Sequence, residues 1–282
     1  MQMRFCAGWS GWPIWTTSNL PRVTRYDLTS GLWAAPPIEI AVLSDLHVCA
    51  PWTPPDCVRR IVDQVVALQP DLILLPGDFL VRRLIGARPS SATEIADALQ
   101  GLSARLGVFA SLGNHDWKDC PTARRSGFSE NSVTSAFQDA GLPVLINEAA
   151  PLPNGAWLVG FDSQQAQGTT RRPVQRHDPA RAFASVPQGA SVLLMAHEPD
   201  CFLEQDHPAA LQISGHTHAG QIAPFGWRPV TPSRYGGRLA YGVQTSGERH
   251  VVVSAGLGYT GVPLRIGAPP EIVQIRLSAT PD

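Results

Sequence analysis

The sequence predicts a four-layer αββα sandwich, an α/β fold in which helices flank two packed, mixed β-sheets. Three observations predict this fold. Short apolar runs alternate with amphipathic helical segments in the first half of the chain, as in βαβ units. The second half has fewer helical segments and more Gly and Pro, so we expect its sheet to be the more antiparallel one. Metal-binding residue types follow directly on five predicted strands, which places a metal site at strand C-terminal ends.

In the first half, buried strands are predicted at residues 38–43, 72–75 and 108–112. The first helix begins near Asp56, whose side chain suits an N-cap, and ends before Pro70. A second helix follows the capping-box pair Ser91 and Glu94, and a third is expected over residues 132–140. Further apolar runs predict strands at residues 144–146, 157–161, 191–196, 211–213, 251–254 and 272–275.

Length and composition indicate the domain organisation. A chain of 282 residues, 44% of them hydrophobic, can fold around one core, and we find no internal repeat or linker. We therefore expect one domain over residues 36–282, preceded by an N-terminal arm of residues 1–35. The arm is rich in tryptophan, a residue suited to membrane interfaces, so peripheral membrane contact is one interpretation and packing over the domain is the other. Its tryptophans are Trp9, Trp12, Trp15 and Trp33.

Charge and cysteine content narrow the class of protein. The 22 basic and 23 acidic residues nearly balance, which argues against a stable nucleic-acid partner. The five cysteines are irregularly spaced and include no Cys-x-x-Cys pair, so reduced thiols are favoured over a disulfide framework. No convincing export signal or membrane-spanning run is present. We expect a cytoplasmic protein, with peripheral contact at the inner membrane as the alternative.

Eight polar residues come directly after apolar strands and are candidates for one shared site. They are Asp45, His47, Asp78, Asn114, His115, His197, His216 and His218. This nitrogen and oxygen set suits Mn, Fe, Zn or Co and lacks the thiolates of a structural zinc site. It is too large for one tetrahedral ion, whereas two ions with a shared carboxylate are used to hydrolyse phosphate esters. His177, His207 and His250 have no such setting, and we expect them to be structural.

Five motifs in this order resemble the calcineurin-like metallophosphoesterase superfamily. They are Asp45-Leu46-His47, Gly77-Asp78, Gly113-Asn114-His115-Asp116, His197 and Gly215-His216-Thr217-His218. The segment Ala196-His197-Glu198-Pro199-Asp200 and the tail with Ser254-Ala255-Gly256-Leu257-Gly258 and Pro263-Leu264-Arg265 are similar to a bacterial phosphodiesterase branch. That branch contains cell-envelope phosphodiesterases and pyrophosphatases that act on a nucleotide-linked lipid A precursor.

The resemblance implies a role for each motif residue. Asp45, His47 and His218 would hold one ion, Asn114, His197 and His216 would hold the second, and Asp78 would bridge them. A metal-bridging hydroxide would attack phosphorus. His115 would contact the phosphate and protonate the leaving oxygen, and Asp116 would orient His115.

The chain departs from the superfamily at one position that bears on catalysis. Many relatives carry an Asp three residues after the bridging Asp, and purple acid phosphatases have a metal-bound Tyr there. This chain has Val81. Three arginine pairs could grip a further phosphate, namely Arg82-Arg83, Arg124-Arg125 and Arg171-Arg172, with solvated surface charge as the alternative.

The function expected from the sequence is a metal-dependent phosphodiesterase or pyrophosphatase acting on a nucleotide- or lipid-linked phosphate ester. A phosphomonoesterase is the second enzyme interpretation. A non-catalytic scaffold with the same fold is a different class, which the presence of His115 and all seven ligand positions disfavours.

Overall fold

The computed structural model describes residues 14–15, 20–169 and 172–281. Its strands are β1 (Ile14–Trp15), β2 (Arg22–Ser30), β3 (Ile38–Val42), β4 (Cys49–Ala50), β5 (Leu72–Leu75), β6 (Arg88–Pro89), β7 (Val108–Ala110), β8 (Glu148–Pro151), β9 (Trp157–Gly160), β10 (Gln167–Thr169), β11 (Arg172–Val174), β12 (Val192–Met195), β13 (Leu211–Ser214), β14 (Gly242–Ser246), β15 (Arg249–Val253), β16 (Arg265–Ile266) and β17 (Glu271–Ala279). The helices are α1 (Pro55–Ala67), α2 (Ala92–Leu99), α3 (Asn114–Lys118), α4 (Pro121–Arg125), α5 (Ser132–Asp139), α6 (Pro179–Phe183) and α7 (Cys201–Glu204). Short 3₁₀ helices lie at His218–Gly220, Pro224–Gly226 and Gly236–Leu239.

Two large sheets form the centre of the fold, as predicted. The first sheet has five strands in the order β2-β17-β3-β5-β7, and the second has six in the order β14-β15-β13-β12-β9-β8. In the first sheet only β17 and β3 pair antiparallel. In the second sheet β9, β12, β13 and β15 are parallel, and only the outer strands β8 and β14 run antiparallel. The second sheet thus has two antiparallel pairs and the first has one, so the second sheet is the more antiparallel one, as expected, although its four central strands are parallel.

Alternation along the strands explains the four layers. In β3 and β5 of the first sheet, Ile40, Val42, Leu72 and Leu74 face the second sheet, where they pack on residues such as Leu193 and Ile213. The intervening residues Ala41, Ile73 and Leu75 face α1, α2 and α5. On the other outer face, Val192 and Leu194 pack with Ala182 of α6 and Cys201 of α7. Each central strand is thus buried on both faces, which is why it reads as a continuous apolar run.

The domain begins earlier than predicted. β2 pairs along its full length with β17, from Arg22 opposite Glu271 to Ser30 opposite Ala279. Trp33 is only 1% exposed and packs in the core between the sheets. Residues 22–35 therefore belong to the domain, and the predicted arm of residues 1–35 was too long. The sequence did not predict β2, because β2 is an edge strand with one solvated face and polar residues alternate along it. Trp9 and Trp12 lie outside the described residues.

Smaller expectations also need correction. α1 starts after Pro54, so Asp56 lies in its first turn and is not the N-cap. No strand forms at residues 144–146, where Val144 makes one isolated bridge to Ala110. The capping box at Ser91 and Glu94 is confirmed, with both reciprocal bonds present. The four described cysteines are free thiols.

The boundary of the domain can be tested by truncating Trp33. We expect Trp33→Ala to lower the free energy of unfolding by about 3–5 kcal/mol, because it removes a buried aromatic side chain from the core. Leu32, 39% exposed, is the matched control, and Leu32→Ala should cost about 1 kcal/mol or less. Urea titration measures both. If the two variants were equally stable, residues 22–35 would be an arm after all.

Candidate metal centre

The candidate site lies where the carboxyl ends of five strands converge. Asp45 and His47 follow β3, Asp78 follows β5, Asn114 follows β7, His197 follows β12, and His216 and His218 follow β13. Strands β3, β5 and β7 belong to the first sheet and β12 and β13 to the second, so the site joins the two sheets. Six of these side chains, all except that of Asn114, lie in two compact clusters of candidate ligands.

Local backbone strain accompanies the site. Several non-glycine residues adopt left-handed φ values, each of which costs roughly 1–3 kcal/mol and is typical of functional sites. Those in the site are Asp45 (54°), His47 (42°), Asp78 (60°), His216 (70°) and His218 (51°). Backbone bonds hold these turns, because the amide of Asp45 donates to the carbonyl of Gly77 and that of His47 to the carbonyl of Asp78, both at 3.1 Å.

The first cluster consists of Asp45, His47 and His218, all buried. Nδ1 of His47 donates to the carbonyl oxygen of Leu80 at 2.8 Å, so its Nε2 is left with a lone pair that points into the site. Nε2 of His218 lies 3.1 Å from that atom and 3.5 Å from Oδ1 of Asp45. Two imidazoles and one carboxylate therefore surround a single point.

The second cluster consists of Asp78, His197 and His216. Nδ1 of His197 donates to the carbonyl of Pro76 at 2.7 Å, which directs its Nε2 into the site. That Nε2 lies 3.1 Å from Oδ2 of Asp78, and the same Oδ2 lies 3.6 Å from Nε2 of His47 in the first cluster. One carboxylate oxygen thus sits between the two clusters, at the position of a bridging ligand.

The unsatisfied atoms of the site fit metal ions. Oδ1 of Asn114 and Nε2 of His197 are buried and make no hydrogen bond within the described residues. Leaving such an atom unpaired costs about 1–3 kcal/mol. The cost disappears if the atom binds a cation, and nitrogen and oxygen donors without thiolate suit Mn, Fe, Zn or Co. Asn114 lines the same cavity as Asp78 and His216, so its carbonyl oxygen is a candidate neutral ligand.

His115 belongs to neither cluster and has an acidic partner of its own. Its Nδ1 lies 2.6 Å from Oδ2 of Asp119, one helical turn further along α3. The backbone amide of Arg82 donates to the same oxygen at 3.0 Å, and its guanidinium lies 3.7 Å from Oδ1. Burial opposes a charge on His115, but the carboxylates of Asp78 and Asp119 outweigh it and raise the pKa of His115.

The prediction that Asp116 orients His115 was wrong. The Asp116 carboxylate accepts hydrogen bonds from the backbone amides of Asp78, Phe79, Leu80 and Gly113, at 2.8–3.0 Å. It is therefore committed to fixing the loop that presents Asp78. The error came from reading adjacency along the chain, whereas on a helix the partner of His115 lies four residues away.

The structure gives little support to the prediction that arginine pairs bind substrate phosphate. Arg82 lies near the site, but it contacts Asp119 and does not line the cavity. Arg124 and Arg125 are exposed on α4, and neither lines the cavity, so their position does not support a grip on substrate phosphate. Arg171 lies outside the described residues.

A cavity of about 530 Å³ opens over the two clusters. One side is polar and includes Lys118 and Gln165, which sequence reasoning missed. Lys118 could have been found, because it lies one helical turn after Asn114 on α3. Burial lowers the pKa of Lys118. The lining also includes the apolar residues Ile222, Pro229, Val230 and Pro232.

Arg265 supports the first cluster from behind. It is fully buried, its guanidinium donates to the backbone carbonyls of Gly258, Ala255 and Ala268, and its Nη2 lies 3.0 Å from Nδ1 of His218. Burial lowers the pKa of Arg265 to about 10. These bonds tie the C-terminal tail, which sequence reasoning had noted only as a motif, to the ring of a candidate ligand.

The family model for calcineurin-like phosphoesterases matches residues 38–220 of this sequence. The chain belongs to the calcineurin-like phosphoesterase family. Two similar proteins are bacterial. Phosphodiesterase YaeI of Escherichia coli K12 is 30% identical over 249 residues, which cover 86% of this chain and 83% of YaeI. UDP-2,3-diacylglucosamine pyrophosphatase LpxG of Chlamydia muridarum is 26% identical over 251 residues, which cover 75% of this chain and 73% of LpxG.

A third similar protein is the transmembrane protein with metallophosphoesterase domain of Danio rerio. It is 30% identical over 254 residues, which cover 85% of this chain but only 53% of the Danio rerio protein. The chain thus spans about half the length of that relative. In the described part of this chain, no helix is long and apolar enough to cross a membrane.

The packing around Asp45 offers a direct test of the first cluster. A Cβ at Gly215 would lie 1.9 Å from Oγ of Ser44 and 2.2 Å from Oδ2 of Asp45, whereas a Cβ at Gly237 would meet nothing within 4 Å. We expect Gly215→Ala to displace Asp45 and lower the metal bound per chain, and Gly237→Ala to leave it unchanged. Metal analysis after Mn²⁺ loading and desalting measures both. Equal metal content in the two variants would remove Asp45 from the ligand set.

Proposed function

We propose that this protein is a binuclear-metal-dependent phosphoesterase that hydrolyses a phosphodiester or pyrophosphate bond. The observation that carries the proposal is the Asp78 carboxylate, whose Oδ2 lies 3.1 Å and 3.6 Å from imidazole nitrogens of two different clusters. Both clusters open into one cavity that also receives His115.

The candidate ligand residues form two sets, one for each cation. Asp45, His47 and His218 would hold one, Asn114, His197 and His216 the other, and Asp78 would contact both. Two ions bound there would polarise the phosphoryl group and lower the pKa of a water molecule enough to make it a nucleophile near neutral pH. The backbone carbonyls of Leu80 and Pro76 fix the rings of His47 and His197, so the ligand geometry exists before any substrate arrives.

His115 is placed to act on the leaving group. Asp119 occupies its Nδ1, so Nε2 is the ring nitrogen left for a substrate in the cavity. The carboxylate stabilises the protonated ring, which can then give its proton to the departing oxygen. In this proposal Asp119 supplies the carboxylate partner of His115, and Val81 stands where many relatives carry an Asp three residues after the bridging Asp. Arg82 holds Asp119 in turn.

The substrate class rests on the cavity and on the relatives. Lys118 adds a positive charge beside the clusters, which suits a substrate with more than one anionic oxygen. The apolar lining residues Ile222, Pro229, Val230 and Pro232 suit a bulky or lipid-like leaving portion. Two relatives are named as a phosphodiesterase and as a pyrophosphatase of a diacylated nucleotide sugar. These features favour a diester or pyrophosphate over a simple monoester.

The reaction class can be tested with soluble substrates. With added Mn²⁺, we expect hydrolysis of bis-p-nitrophenyl phosphate and of a sugar-nucleotide diphosphate, with little turnover of p-nitrophenyl phosphate. EDTA should abolish the activity, and Mn²⁺ should restore it. Turnover that persists without any divalent ion would contradict the two-metal mechanism, and a preference for the monoester would make the protein a phosphomonoesterase.

The roles of His115 and Asp119 can be separated from metal binding. We expect His115→Ala to keep its metal content and to lose on the order of 10²–10⁴-fold in kcat. His250→Ala is the matched control and should retain activity, because His250 does not line the cavity. Its Nε2 donates to the backbone carbonyl of Thr29, and its Nδ1 accepts from the hydroxyl of Thr245.

Asp119→Asn should slow the reaction more for a phenyl ester than for a p-nitrophenyl ester, because a poorer leaving group depends more on proton donation. Asp116→Asn should instead lower metal content, because it loosens the loop that carries Asp78. If Asp119→Asn slowed both esters equally, Asp119 would be structural and not a partner of the acid.

A further inference from the structure

The mouth of the cavity is framed by exposed apolar side chains. We call residues 222–232 the lip, since Ile222, Pro229, Val230 and Pro232 line the cavity. On its outer side Phe225 is 92% exposed and Trp227 is 69% exposed, and Val230 is 71% exposed at the rim. Ordinary surface positions seldom expose several large apolar residues so close together, and such patches usually mark an interaction surface.

A second exposed apolar pair lies next to the lip. Gln221 donates through Nε2 to the carbonyls of Thr260 and Val262 at 2.9 Å, and the amide of Ile85 donates to the carbonyl of Gly261. Ile85 and Val262 are both exposed. Of the nine large hydrophobic residues that are exposed in the described part of the chain, five thus lie on segments around the cavity mouth.

These segments carry positive charge and no negative charge. Residues 79–93, 219–232 and 257–270 contain five arginines and neither Asp nor Glu. Arg265 is buried, and Arg82 has a carboxylate partner, Asp119, at 3.7 Å. For Arg83 and Arg228 the described residues provide no ion pair. The surface around the mouth therefore combines aromatic side chains with cations.

We propose that the lip docks on the surface of an anionic lipid bilayer, so that the cavity opens into the headgroup layer. Tryptophan and phenylalanine gain free energy by leaving water for the interface, and each nearby arginine is attracted to anionic headgroups. The protein would then be peripheral, held by side chains of one loop and without a spanning helix.

The position of β1 agrees with this orientation. β1 pairs with β16, Ile14 opposite Ile266, and Ile222 of the lip bridges to the same Ile266. The backbone of β1, which includes Trp15, therefore lies beside the lip. A second copy of the chain fits the lip less well than a bilayer, because a symmetric contact would bring the arginines of both copies together.

Vesicle binding tests the proposal without requiring turnover, so its result is independent of the proposed reaction. We expect the wild-type protein to sediment with vesicles of phosphatidylglycerol and phosphatidylcholine, to bind phosphatidylcholine alone weakly, and to dissociate as salt is raised. Phe225→Ser combined with Trp227→Ser should weaken binding at least roughly tenfold, since two aromatic side chains no longer leave water. Neither residue lines the cavity, so hydrolysis of bis-p-nitrophenyl phosphate in solution should not change.

Two controls make the outcome decisive. Leu32→Ser combined with Val66→Ser removes two exposed apolar residues elsewhere and should leave vesicle binding intact. Trp9→Ser combined with Trp12→Ser measures how much the tryptophans of the N-terminal segment contribute to vesicle binding. The proposal is overturned if the wild-type protein does not bind anionic vesicles, if the lip variant binds as tightly as wild type, or if the lip substitutions abolish self-association and not vesicle binding.

Discussion

The carboxylate of Asp78 is the group on which the rest of the site depends. It is buried between imidazoles from both clusters, its Oδ1 accepts the amide of His115 at 2.8 Å, and its loop is fixed by four backbone amides bonded to Asp116. A buried carboxylate is unfavourable unless opposite charge neutralises it. Two cations on either side of Asp78 would neutralise it together with Asp45, and they would pair the otherwise unsatisfied Asn114 Oδ1.

The fold supplies the rigidity that this arrangement needs. Strands of both sheets end at the site, and each is buried on both faces, so the side chains that follow them start from fixed backbone positions. The left-handed turns at Asp45, His47 and Asp78 are sustained by backbone bonds across neighbouring strands and loops. The packed sheets, and not the ligand side chains of these residues, thus sustain the backbone strain at these positions.

Much of this could be predicted from the sequence, and the misses have physical causes. The central strands are buried on both faces, so their apolar runs were visible, and the polar residues after them marked the site. β2 escaped notice because an edge strand with one solvated face has a mixed composition. The parallel pairing of β9, β12, β13 and β15 depends on where distant strands lie, which local patterns do not encode. The four-residue spacings from His115 to Asp119 and from Asn114 to Lys118 are present in the sequence, but they bring side chains together only on a helix, and α3 was not predicted.

The central claim is that Asp78 lies between two bound ions. A crystal structure of the Mn²⁺-loaded protein, with data collected to locate manganese by its anomalous scattering, tests it most directly. We expect two anomalous peaks about 3.5–4 Å apart, one beside Asp45, His47 and His218 and the other beside Asn114, His197 and His216, with the Asp78 carboxylate between them. A single peak, or two peaks that do not share Asp78, would contradict the account.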